Sequence, residues 1–172
     1  TANTQAASVT GLALKSRSSA ALRIKWTKNS AVDGYVIEQY VDGAWTEIAV
    51  IDDYKTTEYK VTGLNASTKY KFRMKAYAIT KYGEKTYSPY TSTLAETTSP
   101  SAVSGLRVKS KAQTAIRLAW TKNTTADGYL IEQYKDGKWV QIADVNSNAT
   151  TEYKVAGLVS ATTYKFRVRT YN

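Results

Sequence analysis

The side chains best suited to recognition come as two aromatic pairs, Tyr40 with Trp45 and Tyr134 with Trp139. Each pair brackets an Asp-Gly step, Asp42-Gly43 or Asp136-Gly137. Such a step suits a two-residue hairpin turn, whose central residues both take positive φ. The turn then sets Tyr40 across from Trp45, and Tyr134 across from Trp139. Outward-facing rings can stack on sugar faces or anchor a protein partner. The same geometry has a purely structural use, since cross-strand pairs stabilise hairpins by about 0.2–1 kcal/mol. Tyr82 and Tyr87 flank the polar stretch 81–86 and are two further candidate ligand contacts.

A basic ladder accompanies the rings. Lys69, Lys71, Arg73 and Lys75 alternate with Tyr70, Phe72, Met74 and Ala76, so the four cations share one strand face. Thr163, Lys165, Arg167 and Arg169 repeat the row. It can hold a polyanion, or it can relieve Glu38 (Glu132 in the repeat), which the hairpin register sets opposite Glu47. Exposed ion pairs of that kind are individually weak. The formal charge of +10 admits anionic partners or a well-solvated surface. Rings and cations do not interleave on this face as they do in single-strand nucleic-acid modules, so no nucleic-acid partner is expected.

Catalytic chemistry finds little material. With no cysteine there are no disulfides and no thiolate nucleophile. With no histidine the usual general base and the commonest metal ligand are missing. Asp52-Asp53 is the only adjacent acidic pair, Asn146-Ser147 stands in its place in the repeat, and no run has calcium-loop spacing. No catalytic, cofactor-binding or metal-binding residue is assigned, and enzyme activity is not expected. No apolar run approaches the about 20 residues that span a bilayer, so membrane insertion is not expected. Thr1 opens without a charged-then-apolar leader, so an export signal is expected to lie outside this sequence or to have been removed.

The elements that must position these residues are set by an internal duplication. Val9-Thr10-Gly11-Leu12 returns as Val103-Ser104-Gly105-Leu106, and Trp26-Thr27-Lys28-Asn29 as Trp120-Thr121-Lys122-Asn123. The same offset, without a gap, carries Tyr35 to Tyr129, Trp45 to Trp139 and Tyr70 to Tyr164. Within each copy apolar and polar residues alternate in short runs. Leu22, Ile24 and Trp26 face away from Arg23 and Lys25, and Tyr59 and Val61 from Glu58 and Lys60. That period of two describes strands with one buried and one wet face.

Several of these residues resemble the fibronectin type III family. Trp26 and Trp120 match its core tryptophan, and Asp33-Gly34-Tyr35-Val36-Ile37 looks like its third strand. Leu64, Thr68 and Tyr70, and again Leu158, Thr162 and Tyr164, resemble the corner in which a tyrosine bonds back to nearby backbone. Ala66 and Ser160 stand where the family often has proline. The loop 81–86 lacks the Arg-Gly-Asp tripeptide of integrin-binding members, so that activity is not implied.

The resemblance implies an all-β fold of two tandem seven-stranded immunoglobulin-like sandwiches, residues 1–98 and 99–172, the second lacking its last strand. A missing strand would leave the row at Lys165, Arg167 and Arg169 on a sheet edge, open to strand-mediated self-association. The linker near Ser99-Pro100 is short, which favours a stiff pair extending as a rod. The implied function is a non-catalytic spacer in a larger secreted or cell-wall-attached protein, beside neighbouring domains of the same chain. The Tyr- and Lys-rich character looks like modules from Gram-positive gut bacteria. Alternatives are a carbohydrate-binding accessory module of a polysaccharide-degrading enzyme, or an adhesin or filament subunit that binds a surface protein.

Overall fold

A computed structural model describes residues 5–172. It divides into two compact units, Thr1–Thr98 and Ser99–Asn172. The first contains β1 (Ala13–Arg17), β2 (Ala21–Lys25), β3 (Gly34–Val41), β4 (Ala44–Ile51), β5 (Glu58–Thr62), β6 (Lys69–Ile79), β7 (Lys85–Tyr87) and β8 (Leu94–Thr97). One sheet has the order β1-β2-β5; the other runs β4-β3-β6, with β7 and β8 both pairing β6. The second unit contains β9 (Arg107–Ala112), β10 (Ala115–Ala119), β11 (Gly128–Lys135), β12 (Lys138–Val145), β13 (Glu152–Ala156) and β14 (Phe166–Tyr171). Its sheets have the orders β9-β10-β13 and β12-β11-β14. All pairings are antiparallel, and the described residues contain no helix.

The buried faces follow the alternation. Leu22, Ile24, Tyr35, Ile37, Phe72 and Met74 have no exposed surface in the first unit. Leu118, Trp120, Tyr129 and Ile131 occupy the same places in the second. Trp26, 5% exposed, meets Tyr35 edge-on with ring centroids 5.3 Å apart, and Trp120 meets Tyr129 at 5.2 Å. Burial and ring contact alone hold the indoles, because neither Trp26 Nε1 nor Trp120 Nε1 has a hydrogen-bond partner. The tyrosine hydroxyls do make bonds. Tyr35 accepts from Asn29 N–H and donates to Tyr54 C=O, both at 3.0 Å, which ties two loops to the core. Tyr129 does the same with Asn123 and Asn148. The corner bond takes the form the motif implies: Tyr70 Oη accepts from Asn65 N–H, and Tyr164 Oη from Val159 N–H, each at 2.8 Å.

Two departures from simple alternation have clear causes. The last strand of the first unit is split into β7 and β8 around Ser88 and Pro89, because proline cannot donate to a ladder. Hydroxyls take over the bonds there: Ser88 Oγ accepts from Ala76 N–H at 2.9 Å, and Thr91 Oγ1 from Met74 N–H at 3.1 Å. In the second unit the expected run 163–171 is strand only from Phe166. The corresponding stretch of β6 is paired by β8, from Lys69 opposite Thr97 to Phe72 opposite Leu94, whereas β14 pairs β11 alone. Within that stretch the Lys165 carbonyl accepts from Tyr134 N–H at 3.0 Å.

Gly34 shows how closely the outer layer approaches the backbone. A Cβ there would lie 2.1 Å from Ile51 C=O and 2.5 Å from Tyr77 Oη. Gly63 has φ 75° but open space around it. Gly34→Ala is therefore expected to destabilise the first unit by about 3 kcal/mol through overpacking against a carbonyl that cannot retreat. Gly63→Ala should cost only about 1 kcal/mol of backbone strain. Urea denaturation followed by tryptophan fluorescence checks the order, and equal losses would remove the packing explanation.

Candidate functional site

The β3–β4 hairpin presents the aromatic pair as its turn dictates. Asp42 and Gly43 take φ of 49° and 86°, and Asp136 and Gly137 take 48° and 79°. Tyr40 then pairs with Trp45 and Tyr134 with Trp139. The rings meet edge-on, with centroids 5.3 Å and 5.2 Å apart. Tyr40 and Tyr134 are each 40% exposed, while Trp45 and Trp139 are half-buried.

The basic ladder lies on top of these rings. The Arg73 guanidinium stands 4.4 Å from the Trp45 centroid and 3.7 Å from that of Tyr90, so it is stacked against both. Arg73 Nε and Nη2 both reach Glu38 Oε2 at 2.7 Å, and the Tyr90 hydroxyl donates to Glu38 Oε1. Lys71 lies 5.4 Å from the Tyr40 ring, and Lys75 4.4 Å from that of Tyr87. The second unit repeats the core of this arrangement. Arg167 stacks on Trp139 at 4.5 Å and bonds Glu132, and Lys165 lies 5.6 Å from Tyr134. Cation–π contacts of this sort contribute about 0.5–1 kcal/mol when exposed and more when desolvated.

This layer is drier than the alternation alone suggests. Glu38, expected on an exposed ladder, is 8% exposed, and Val36 beside it 2%. The Glu38–Arg73 pair is consequently a partly buried, charge-assisted one and not a surface pair. Burial would raise the Glu38 carboxyl, but the hydrogen bonds from Tyr90 and Arg73 outweigh it and hold the group below the usual carboxylate value.

The remaining candidates divide. Tyr87 joins the layer, with its ring 6.3 Å from Tyr77 as well as near Lys75. Tyr82 does not; it is 77% exposed at the tip of the turn after β6, with Lys81 5.0 Å from its ring. That turn is ordered by Thr80, whose Oγ1 accepts from Tyr82 N–H at 3.3 Å and Glu84 N–H at 3.2 Å. Asn65-Ala66-Ser67, Asn123-Thr124-Thr125 and Asn148-Ala149-Thr150 fit the glycosylation triplet; Asn123 is buried, with Nδ2 donating to Ser101 C=O at 2.7 Å, so it is closed to modification.

Two tyrosines outside the sequence-based candidates complete the face. Tyr90 caps Arg73, as described. Tyr77 lies over Gly34 and donates to Asp52, with Lys85 3.9 Å from its ring. Burial, reinforced by Asp52, pushes its hydroxyl well above the usual phenol value. Tyr171 repeats it over Gly128, within 2.9 Å of Asp144 Oδ1 and 2.6 Å of Asn146 Oδ1. The signal was present: both copies pair a strand-opening Asp-Gly with a tyrosine at the same offset. Among the described residues no group of three His, Cys, Asp or Glu is placed to hold a metal ion, and no helix is long and apolar enough to cross a membrane.

The sequence profile of the fibronectin type III domain matches residues 7–94 and 101–172. The chain belongs to the fibronectin type III family. It is 28% identical over 178 aligned residues to Exoglucanase B of Cellulomonas fimi, covering 97% of this chain but only 16% of that protein. The chain thus spans about a sixth of the length of that relative. Among solved structures, domains FN1–FN3 of chicken CNTN1 superpose with a TM-score of 0.53 at 19% identity, covering 98% of this chain and 60% of that one. A likeness at that identity speaks for the fold alone. Fibronectin type III domains are generally non-catalytic, and the stretch shared with the exoglucanase is its fibronectin type III portion.

The Glu38 cluster has a pH signature. The Glu38 carboxyl lies below its ordinary value of 4.5 in the folded domain, so its contribution to stability is complete above that value and is lost as pH falls through the folded value. Glu38→Gln is expected to lower stability by about 1–3 kcal/mol at neutral pH, the range for a hydrogen-bonded charge. It should also flatten the acid-side fall in melting temperature. Some slope remains, because Lys15 holds Glu58 low in the same domain. A calorimetric melting series across the acid range checks this, and parallel curves for the two proteins would refute the assignment.

Proposed function

We propose that this chain is a non-catalytic spacer and presentation module of a larger secreted or cell-surface bacterial protein. The observation that carries the reading is the match to Exoglucanase B: two consecutive fibronectin type III domains aligned end to end with a small fraction of a much longer protein. Fold physics supports it. The interior of each sandwich is filled by side chains, and the most prominent rings on the outer faces are engaged within the same domain. Arg73 and Arg167 cover one side of Trp45 and Trp139, which stiffens the sheet and takes ring surface away from a ligand.

A second reading keeps one specific observation in its favour. Tyr40 and Tyr134 retain exposed ring surface beside a tryptophan, the kind of platform on which a neutral sugar stacks. The similar protein is by name an exoglucanase, so a glucan-associated module is the natural alternative.

The spacer reading expects no retardation of the two-domain protein on native gels cast with hydroxyethyl cellulose, xylan or soluble starch. Saturable retardation that disappears in Trp45→Ala plus Trp139→Ala would replace it with the carbohydrate-binding reading.

A further inference from the structure

Surface positions that differ between the two copies are not dictated by the fold they share, and at the ends of the sandwiches they differ in a consistent way. The end where the chain enters the first unit gathers the turns after β2, β4 and β6, since the start of β3 lies beside the ends of β4 and β6. Its centre is apolar. Ala6, Ala7, Ala31, Ala78 and Ile79 line one depression there, and Ile79 is 51% exposed. In the second unit Ser101 and Thr125 stand in the places of Ala7 and Ala31, and both bond to Asn123. The same end of the first unit carries Asp52-Asp53. Asp52 engages Tyr77 and Lys85, yet its side chain stays 76% exposed, and Asp53 is exposed while holding its own turn. The second unit has the uncharged Asn146-Ser147 instead. Lys55, replaced by Ala149, returns one positive charge, so the exchange leaves the first unit's end more acidic by one.

The opposite end of the second unit carries the complementary changes. It gathers the turns after β9, β11 and β13, because β10 starts opposite the end of β13 and β14 starts beside the end of β11. Val159 projects there, 69% exposed, where the first unit has Asn65. Lys135 and Lys138 face each other across the Asp136-Gly137 turn, and both are exposed. Neither has a carboxylate partner among the described residues. Like charges directly opposite one another destabilise a hairpin. The first unit carries the uncharged Val41 and Ala44 in their places. One end of each unit has thus gained an apolar centre beside charges, and the two sets of charges are of opposite sign.

We propose that these two ends dock on one another between two copies of this chain, head to tail. Val159 of one copy enters the alanine-lined depression of the other, and Lys135 and Lys138 lie against Asp52 and Asp53. The contact uses a different surface on each copy, so every pair leaves one head and one tail free and the association propagates. Its apolar centre is small, which places it among weak, transient interfaces. Its charges make it stronger at low salt. The spacer reading stands without this contact, because it rests on the filled sandwiches and the match to a small part of a longer protein.

Sedimentation velocity of the whole two-domain chain, from micromolar to millimolar concentration at low salt, tests the proposal. The sedimentation coefficient should rise with concentration, and less so at high salt. Lys138→Ala plus Val159→Asn blocks the tail, and Asp53→Ser plus Ile79→Thr blocks the head. Each variant alone should associate at least about tenfold more weakly than the parent, the loss of one modest contact. Mixed in equal amounts, the two should recover association as pairs that grow no further, since one retains intact heads and the other intact tails. Both should melt like the parent. Ala44, Asn65 and Ser147 already occupy the matching places in the other unit. Ser147 also keeps its turn, accepting from Ala149 N–H at 3.2 Å where Asp53 accepts from Lys55 N–H at 2.9 Å. A parent that stays monomeric at every concentration, association undiminished in either variant, or a mixture no more associated than its components would each overturn the inference.

Discussion

The edge-on contact of one tryptophan with one tyrosine at the centre of each sandwich is the constraint on which the rest depends. Trp26 comes directly after β2 and Tyr35 from β3 in the facing sheet, and their burial is what makes the two sheets a single core. The tyrosine does more than fill space. Its hydroxyl is satisfied at both ends by loop backbone, so the same residue that closes the core also fixes the loops at one pole. Trp26 brings no such bond, and its indole nitrogen is left without an acceptor. The ring therefore earns its place by area and shape, a contribution of a few kcal/mol for a fully buried aromatic.

On the outside of the sheet built around β3 and β6 the chain builds a second, thinner layer. Arginine and lysine from β6 lie over aromatic rings from β3 and β4 and from the segment after β7, with Glu38 sealed beneath them. This layer converts what alternation marks as a wet face into one where a glutamate and a valine are almost fully covered. Flat rings that look available in the linear sequence are in this way partly used up inside the domain. Stiffness, not an open platform, is the main physical result.

The three-stranded sheets behave differently. On their outer faces Arg23 stands opposite Lys60 and Arg117 opposite Lys154, while Glu58 and Glu152 each hold one lysine and one arginine. A duplicated chain is free to let unused surface charge drift, as Lys25 and its counterpart Ala119 show.

Much of this protein is determined by its linear order alone. Period-two burial, the Asp-Gly turns and the exact offset of the repeat specify strands, hairpins, register and the pairing of Tyr40 with Trp45, because each is a local consequence of backbone geometry. The corner bond of Tyr70 is equally local, reaching only to Asn65. What lay beyond the sequence are contacts between residues far apart along the chain. Tyr90 reaches Glu38, Tyr77 reaches Asp52 across Gly34, and Arg23 meets Lys60. Those meetings arise only when separate strands are laid side by side, and side-chain burial on an outer face depends on which long residues fold back over it. Strand pairing across the sheet, a non-local event, decided them.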